Sequence, residues 1–155
     1  MQPGEDACSI IASPRSWIEA DAIIGLSNVY EAEEIDGRIL RWTGPGAVFG
    51  IYLPVDRGYG WSVTLVCADG VDPFNWDNVF VEYEGDMVLC QHREVDGKHH
   101  LGCQVAAASN MAGAILRFYL QQARRMRAPL FGEADGRVLG LCLEAVALHR
   151  GPPAL

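Results

Sequence analysis

The sequence lacks most of what marks a catalytic or nucleic-acid-binding chain. Of 155 residues only 12 are Lys or Arg, against 20 Asp or Glu, so the net charge is −8 and the isoelectric point is near 4.8. An acidic surface repels phosphate backbones and anionic headgroups, which argues against bulk binding to nucleic acid or to a charged membrane. No apolar run reaches the roughly 20 residues of a membrane-spanning helix. The N-terminal stretch "MQPGEDACSIIASPRSW" has no basic segment followed by the apolar core of a signal peptide. There is no CxxC pair, and the five cysteines (Cys8, Cys67, Cys90, Cys103 and Cys142) are odd in number. Free thiols buried in a reducing compartment fit better than a disulfide framework, and a cytoplasmic protein is expected. Also absent are a GxSxG elbow, an HExxH helix, a Walker loop and a GxGxxG fingerprint. No catalytic residue, metal ligand or cofactor is therefore expected.

What is present is strand chemistry. Half of the residues are apolar and 21% are charged, enough for one domain with one core. Short apolar runs are separated by acidic-residue–glycine pairs: Asp36-Gly37, Asp69-Gly70, Glu84-Gly85, Asp96-Gly97 and Asp135-Gly136. Such pairs tolerate the positive φ angles of a two-residue type I′ hairpin turn. Between them "WSVTLVC" (61–67), "NVFVEY" (78–83), "MVLCQH" (87–92), "HLGCQV" (100–105) and "RVLGLCLEAVAL" (137–148) alternate with period two. The expected fold is all-β: an antiparallel two-sheet sandwich of about eight strands, with a jelly roll as one form of it. "SPRSWIEADAIIGL" (13–26) reads instead as a helix start, with Ser13 as cap, Pro14 in the first turn and capping-box spacing from Ser16 to Glu19. Residues 110–127 read as a strand to about Leu120, then a loop or short helix. The expected organisation is an N-terminal arm with a short helix (1–28), a β-sandwich domain (29–150) and a tail (151–155).

Three groups of residues invite a functional reading. "TGPG" (43–46) runs into "VFGIYLP", a strand rather than a helix, so the glycines are expected to make a turn and not a phosphate cradle. His92, His99 and His100 flank Asp96-Gly97. A two-residue turn there opposes Val95 to Lys98, Glu94 to His99, Arg93 to His100 and His92 to Leu101. This register is expected to leave only His92 and His100 on a shared face, too few ligands for a divalent metal. Aromatic residues form the third group. Trp42, Trp61 and Trp76 fall at strand ends or in loops, and "DPFNWDN" (72–78) is a polar-aromatic loop. Trp42, Arg57, Asn75, Trp76 and Asp77 are the residue types that stack on a pyranose and fix its hydroxyls. The alternative is that these tryptophans plug the ends of the sandwich.

Two stretches resemble known families. "IIASPRSWIEADAI" (10–23) resembles the N-terminal segment of the RNA ligases that repair tRNA. That family continues with a glycine, proline, Asp and His motif, whereas "GLSNVYEAEEIDG" follows here, so no function is carried over. "GRILRWTGPGAVFGIYLPVDR", "NWDNVFVEYEG" and "RAPLFGEADGRVLGLCLEAVAL" resemble in order a small β-sandwich module that sits beside sugar-transferring and methyl-transferring domains of bacterial proteins. Such modules are similar to carbohydrate-binding jelly rolls. The resemblance implies a non-catalytic module that recognises a glycan or a glycosylated partner through Trp42, Trp76 and Arg57, or that docks onto a partner enzyme. A protein–protein or homo-oligomeric module is the other expectation, using residues 13–26 and the arginines at 117, 124, 125 and 127 as contacts. An enzyme ranks third.

Overall fold

The computed structural model describes residues 10–108, 112–125 and 137–153. In chain order the strands are β1 (Arg15–Glu19), β2 (Ile24–Ser27), β3 (Glu33–Ile35), β4 (Arg38–Trp42), β5 (Val48–Leu53), β6 (Tyr59–Gly70), β7 (Phe80–Tyr83), β8 (Asp86–Leu89), β9 (Gln91–Val95), β10 (Lys98–Val105), β11 (Ala114–Tyr119), β12 (Arg124–Arg125), β13 (Val138–Leu139) and β14 (Leu141–Pro153). Two 3-10 turns, Ala20–Ala22 and Pro73–Asp77, are the only helical segments among the described residues. Seven strands form one sheet in the order β3-β4-β14-β6-β10-β9, with β1 also paired to β14. Five form the other, β2-β5-β11-β7-β8. The strands within both sheets pair antiparallel. The expected all-β sandwich is present, divided into more strands than anticipated.

The core lies between the sheets. Phe49, Ile51 and Leu53 of β5 and Leu116 and Phe118 of β11 face Val63, Leu65 and Cys67 of β6 and Leu101 of β10, all buried. Phe49 and Phe118 stack with centroids 5.0 Å apart. Each such side chain contributes about 1.5–3 kcal/mol through its removal from water. A smaller cluster of Leu40, Trp42, Leu139 and Cys142 is buried separately, where β4 crosses β14.

Three of the acidic-residue–glycine pairs make the expected hairpins. Asp36-Gly37, Glu84-Gly85 and Asp96-Gly97 all have positive φ at both positions and join β3–β4, β7–β8 and β9–β10. Asp69-Gly70 does not turn. Its residues continue β6, opposite Cys142 and Leu141, because β14 supplies partners along this length. Gly70 is required there for another reason: a Cβ would sit 2.8 Å from the Trp76 ring. Asp135-Gly136 lies outside the described residues. "TGPG" is a turn, as expected, but it carries the chain from β4 in one sheet to β5 in the other.

The helix expected over 13–26 is not formed. β1 pairs with β14 from Arg15↔His149 to Glu19↔Ala145, and β2 pairs with β5. The edges of two sheets satisfy this segment's backbone groups, and Trp17 and Ile18 suit a pleated surface better than a short helix interrupted by Gly25. The segment expected as an arm thus belongs to both sheets. The expected tail also starts later, since Pro153 still pairs with Tyr59. The strand expected to about Leu120 is β11, after which Arg124 and Arg125 pair with Leu139 and Val138 instead of turning into a helix. Residues 126–136 lie outside the described residues.

Candidate functional site

Of the five residues expected to bind a ligand, three have no surface to offer. Trp42 is 1% exposed, sealed by Leu40, Leu139 and Cys142. Arg57 is also 1% exposed. Its guanidinium donates to the Ala106 carbonyl from Nη2 (2.8 Å), to the Gly113 carbonyl (2.9 Å) and to Glu84 Oε1 (2.6 Å). These bonds clamp the loops flanking β5, β10 and β11 and leave the fork no face for a ligand. Asn75 is 0% exposed. Its Oδ1 accepts from the Gln121 and Gln122 backbone N–H groups (2.9 and 3.0 Å), and its Nδ2 donates to the Gln122 carbonyl (2.8 Å). It ties the 3-10 turn to the exit of β11. The expectation at these three positions is corrected: each side chain is spent on internal packing or hydrogen bonds.

Trp76 and Asp77 do stand together, with partners that were not anticipated. Asp72 caps the turn by accepting from the Phe74 N–H (2.9 Å). Trp76, 8% exposed, lies flat on His99, with centroids 3.9 Å apart and planes 2° from parallel. His92 Nε2 is 2.8 Å from His99 Nδ1, and His92 Nδ1 is 3.1 Å from Asp77 Oδ1. The β9–β10 register is the one expected, residue for residue, but the assignment of faces is corrected. Directly opposed residues share a face, so His92 goes with Leu101 and therefore with His99, while His100 goes with Arg93. Burial, then the neighbouring His92, hold the His99 pKa below its ordinary value, with Glu94 and Asp69 pulling the other way. Both ring nitrogens of His92 are engaged inside the cluster, and among the described residues no group of three or more His, Cys, Asp or Glu is placed to hold a metal. The cluster is a polar latch that holds the 72–78 loop on the end of the sheet.

The four cysteines among the described residues offer no nucleophile. Burial raises the Cys67 pKa well above its ordinary value and pushes Cys90, Cys103 and Cys142 up to about 12, so thiolate is scarce at neutral pH.

The open surface lies elsewhere, on the outer face of the seven-stranded sheet. The pairing registers align Trp17, Ala147, Thr64, Gly102 and Gln91 in one row across β1, β14, β6, β10 and β9. Ala147, Thr64 and Gly102 are small, so the row is a trough, with the indole of Trp17 at one end. One bank carries Arg15, His149, Ser62 and Gln104, and the other carries His100 and Arg93. Two cavities of about 480 and 500 Å³ share Ser62 and Thr64; the second is also lined by Tyr83 of β7 and Val88 and Leu89 of β8, from the five-stranded sheet. Trp17 is 52% exposed. Sequence reasoning missed it because the segment was read as a helix; the alternation Arg15-Trp17-Glu19 against Ser16-Ile18 was the available signal.

No protein-family model matches the chain, and no curated protein sequence matches it. Solved structures do. The chain is similar to a family 35 carbohydrate binding module from Clostridium thermocellum, with a TM-score of 0.50 and 13% identity over 88% of this chain and 98% of that one. This shows a β-sandwich with a carbohydrate-binding-like fold. It gives no support to the likeness to RNA ligases or to an appendage of transferases. Among the described residues no helix is long and apolar enough to cross a membrane.

Proposed function

We propose that the protein is a non-catalytic module that receives a glycan or a glycosylated partner in the trough on the outer face of its seven-stranded sheet. The observation that carries this reading is Trp17, half exposed beside a floor of small side chains. An indole presents a flat apolar face that stacks on the C–H face of a pyranose, while nearby hydroxyls, carboxamides and guanidinium groups bond its hydroxyls. Ser62, Thr64, Gln104 and Arg15 are those groups, on the walls of the same trough. The carbohydrate-binding-like fold supports the reading at the level of architecture only. Of the residues first expected to bind, only Asp77 remains at the surface, while Trp76 is buried against His99, and the reading depends on neither. The test is a glycan array probed with the native chain and with Trp17→Ala. Binding that vanishes in the variant while its circular dichroism is unchanged is expected; binding to no glycan refutes the reading.

One observation favours self-association as a second reading. The outer face of the five-stranded sheet exposes Ile24, Ile115, Met87 and Leu89, with Arg117 opposite Glu82 near its centre. A two-fold axis there would cover the apolar residues and set Arg117 of one copy against Glu82 of the other. Sedimentation of the native chain and of Met87→Lys tests it: a concentration-independent monomer in both refutes self-association.

A further inference from the structure

The walls of the trough carry an uneven share of charge. The chain has 20 acidic residues against 12 Lys and Arg, yet no Asp or Glu is among the described residues lining either cavity. Arg15 and His149 line one; Arg93 and His100 line the other. Each is a cross-strand pair, Arg15↔His149 and Arg93↔His100, so guanidinium and imidazole stand side by side at both ends. The carboxylates of this face stand outside the two linings. Glu144 is bound by Lys98 Nζ (2.5 Å) and Arg38 Nη1 (3.4 Å), and Glu19 ends the row of His100 and Arg93 on the β1 side, four strand spacings from Arg93, lining neither cavity.

Resting on the glycan reading above, we propose that the ligand of the trough is a polyanionic glycan, carboxylated or sulfated, long enough to reach from Arg15 to Arg93. Neutral sugars need no cations on the walls. Arg15 and Arg93 have no carboxylate partner among the described residues, and such a guanidinium gains most from an anionic oxygen, which its planar fork can meet with two hydrogen bonds. Burial, Arg93 and Lys98 hold the His100 pKa below the ordinary value, against the opposite pull of Glu144 and Asp96. The registers set the length. Arg15 lies level with Gln104 of β10 through His149 and Ser62, and Arg93 lies level with His100, one strand further across and four residues along. Four strand spacings and four residues of rise separate the two arginines by about 23 Å. A monosaccharide meets one end of this span; a chain meets both, and the second contact then forms at the high local concentration set by the first.

The experiment is affinity electrophoresis and calorimetry of the native chain against polygalacturonate, dextran sulfate, unsubstituted dextran and a neutral β-glucan, with trigalacturonate as the short probe. Retention by a charged polymer and not by the neutral ones is expected, weakening as salt is raised. The carboxylated and sulfated arms tell the two sources of charge apart. The exposed substitutions Arg15→Gln and Arg93→Gln are each expected to weaken binding about tenfold, the loss of one charge-assisted contact, and trigalacturonate is expected to bind more weakly than the polymer. Equal binding of neutral and charged polymers overturns the inference and leaves the glycan reading standing. Binding to none of the polymers overturns both. Charged-polymer binding unaffected by both arginine substitutions, or equal affinity for trigalacturonate and polygalacturonate, overturns the assignment to this span.

Discussion

Trp42 and Trp17 are the same residue type in opposite settings, and replacing each by alanine should separate stability from binding. Trp42 is 1% exposed and sealed by Leu40, Leu139 and Cys142. Removing a fully buried indole loses its transfer free energy and leaves a cavity, together about 3–5 kcal/mol. A domain of this size holds only about 5–15 kcal/mol, and each kcal/mol moves Tm by about 2–4 °C. Trp42→Ala is therefore expected to lower Tm by about 6–20 °C. Trp17 is 52% exposed on β1, so Trp17→Ala is expected to cost about 1 kcal/mol or less, within about 4 °C. The assay is urea unfolding followed by far-ultraviolet circular dichroism, with scanning calorimetry for Tm and a glycan-binding measurement on the same preparations. Trp42→Ala should lose stability and keep its ligand at temperatures where it is folded. Trp17→Ala should do the reverse. A stable Trp42→Ala protein that no longer binds would refute both the burial argument and the placement of the site.

Three further outcomes follow from the same geometry. Arg57→Met leaves the Ala106 and Gly113 carbonyls and Glu84 without their donor; a loss of about 3 kcal/mol in urea unfolding is expected, with glycan binding unchanged. Gly102→Leu builds a side chain on the trough floor where a Cβ meets only Gln91 O at 3.8 Å and Val63 O at 3.9 Å, so the fold should persist while binding of a long glycan is blocked. Acid should weaken the Trp76 latch. The His99 pKa is held below 6.5 in the folded chain, so just below that pH the unfolded state binds more protons and stability falls as pH drops. The unfolding midpoint at pH 5.5 should lie below that at pH 7.5, and His99→Gln should shrink the difference without abolishing it, because His100 is shifted in the same direction. An unchanged difference removes His99 from the account.

Local chemistry was legible wherever it was self-contained. Period-two alternation marked β6, β7, β10 and β14, and three of the acidic-residue–glycine pairs marked hairpins because the φ > 0 demand of a type I′ turn is met within the turn itself. The Asp96-Gly97 turn even carried the register of β9 on β10. The same signal failed at Asp69-Gly70, where pairing to β14, more than 70 residues away in sequence, overrode local preference. It failed at 13–26 for the same reason, since helix capping signals are weak beside the edges of two sheets.

By itself, then, the sequence determined the all-β class, the burial of Cys67, Cys90 and Cys142 and most of its turns, since these follow from side-chain pattern and backbone permission over a few residues. Only the tertiary structure decided which tryptophan faces water. Trp17 shares its face of β1 with Arg15 and Glu19, and Trp42 shares its face of β4 with Leu40, a local difference that has meaning only once 15–19 is known to be a strand. The difference arises because β4 is covered by Leu139 and its neighbours, whereas β1 is laid along the outside of β14 with Ala147, Thr64 and Gly102 beside it. The trough exists only when β1, β14, β6 and the β9–β10 hairpin, far apart in sequence, come into register.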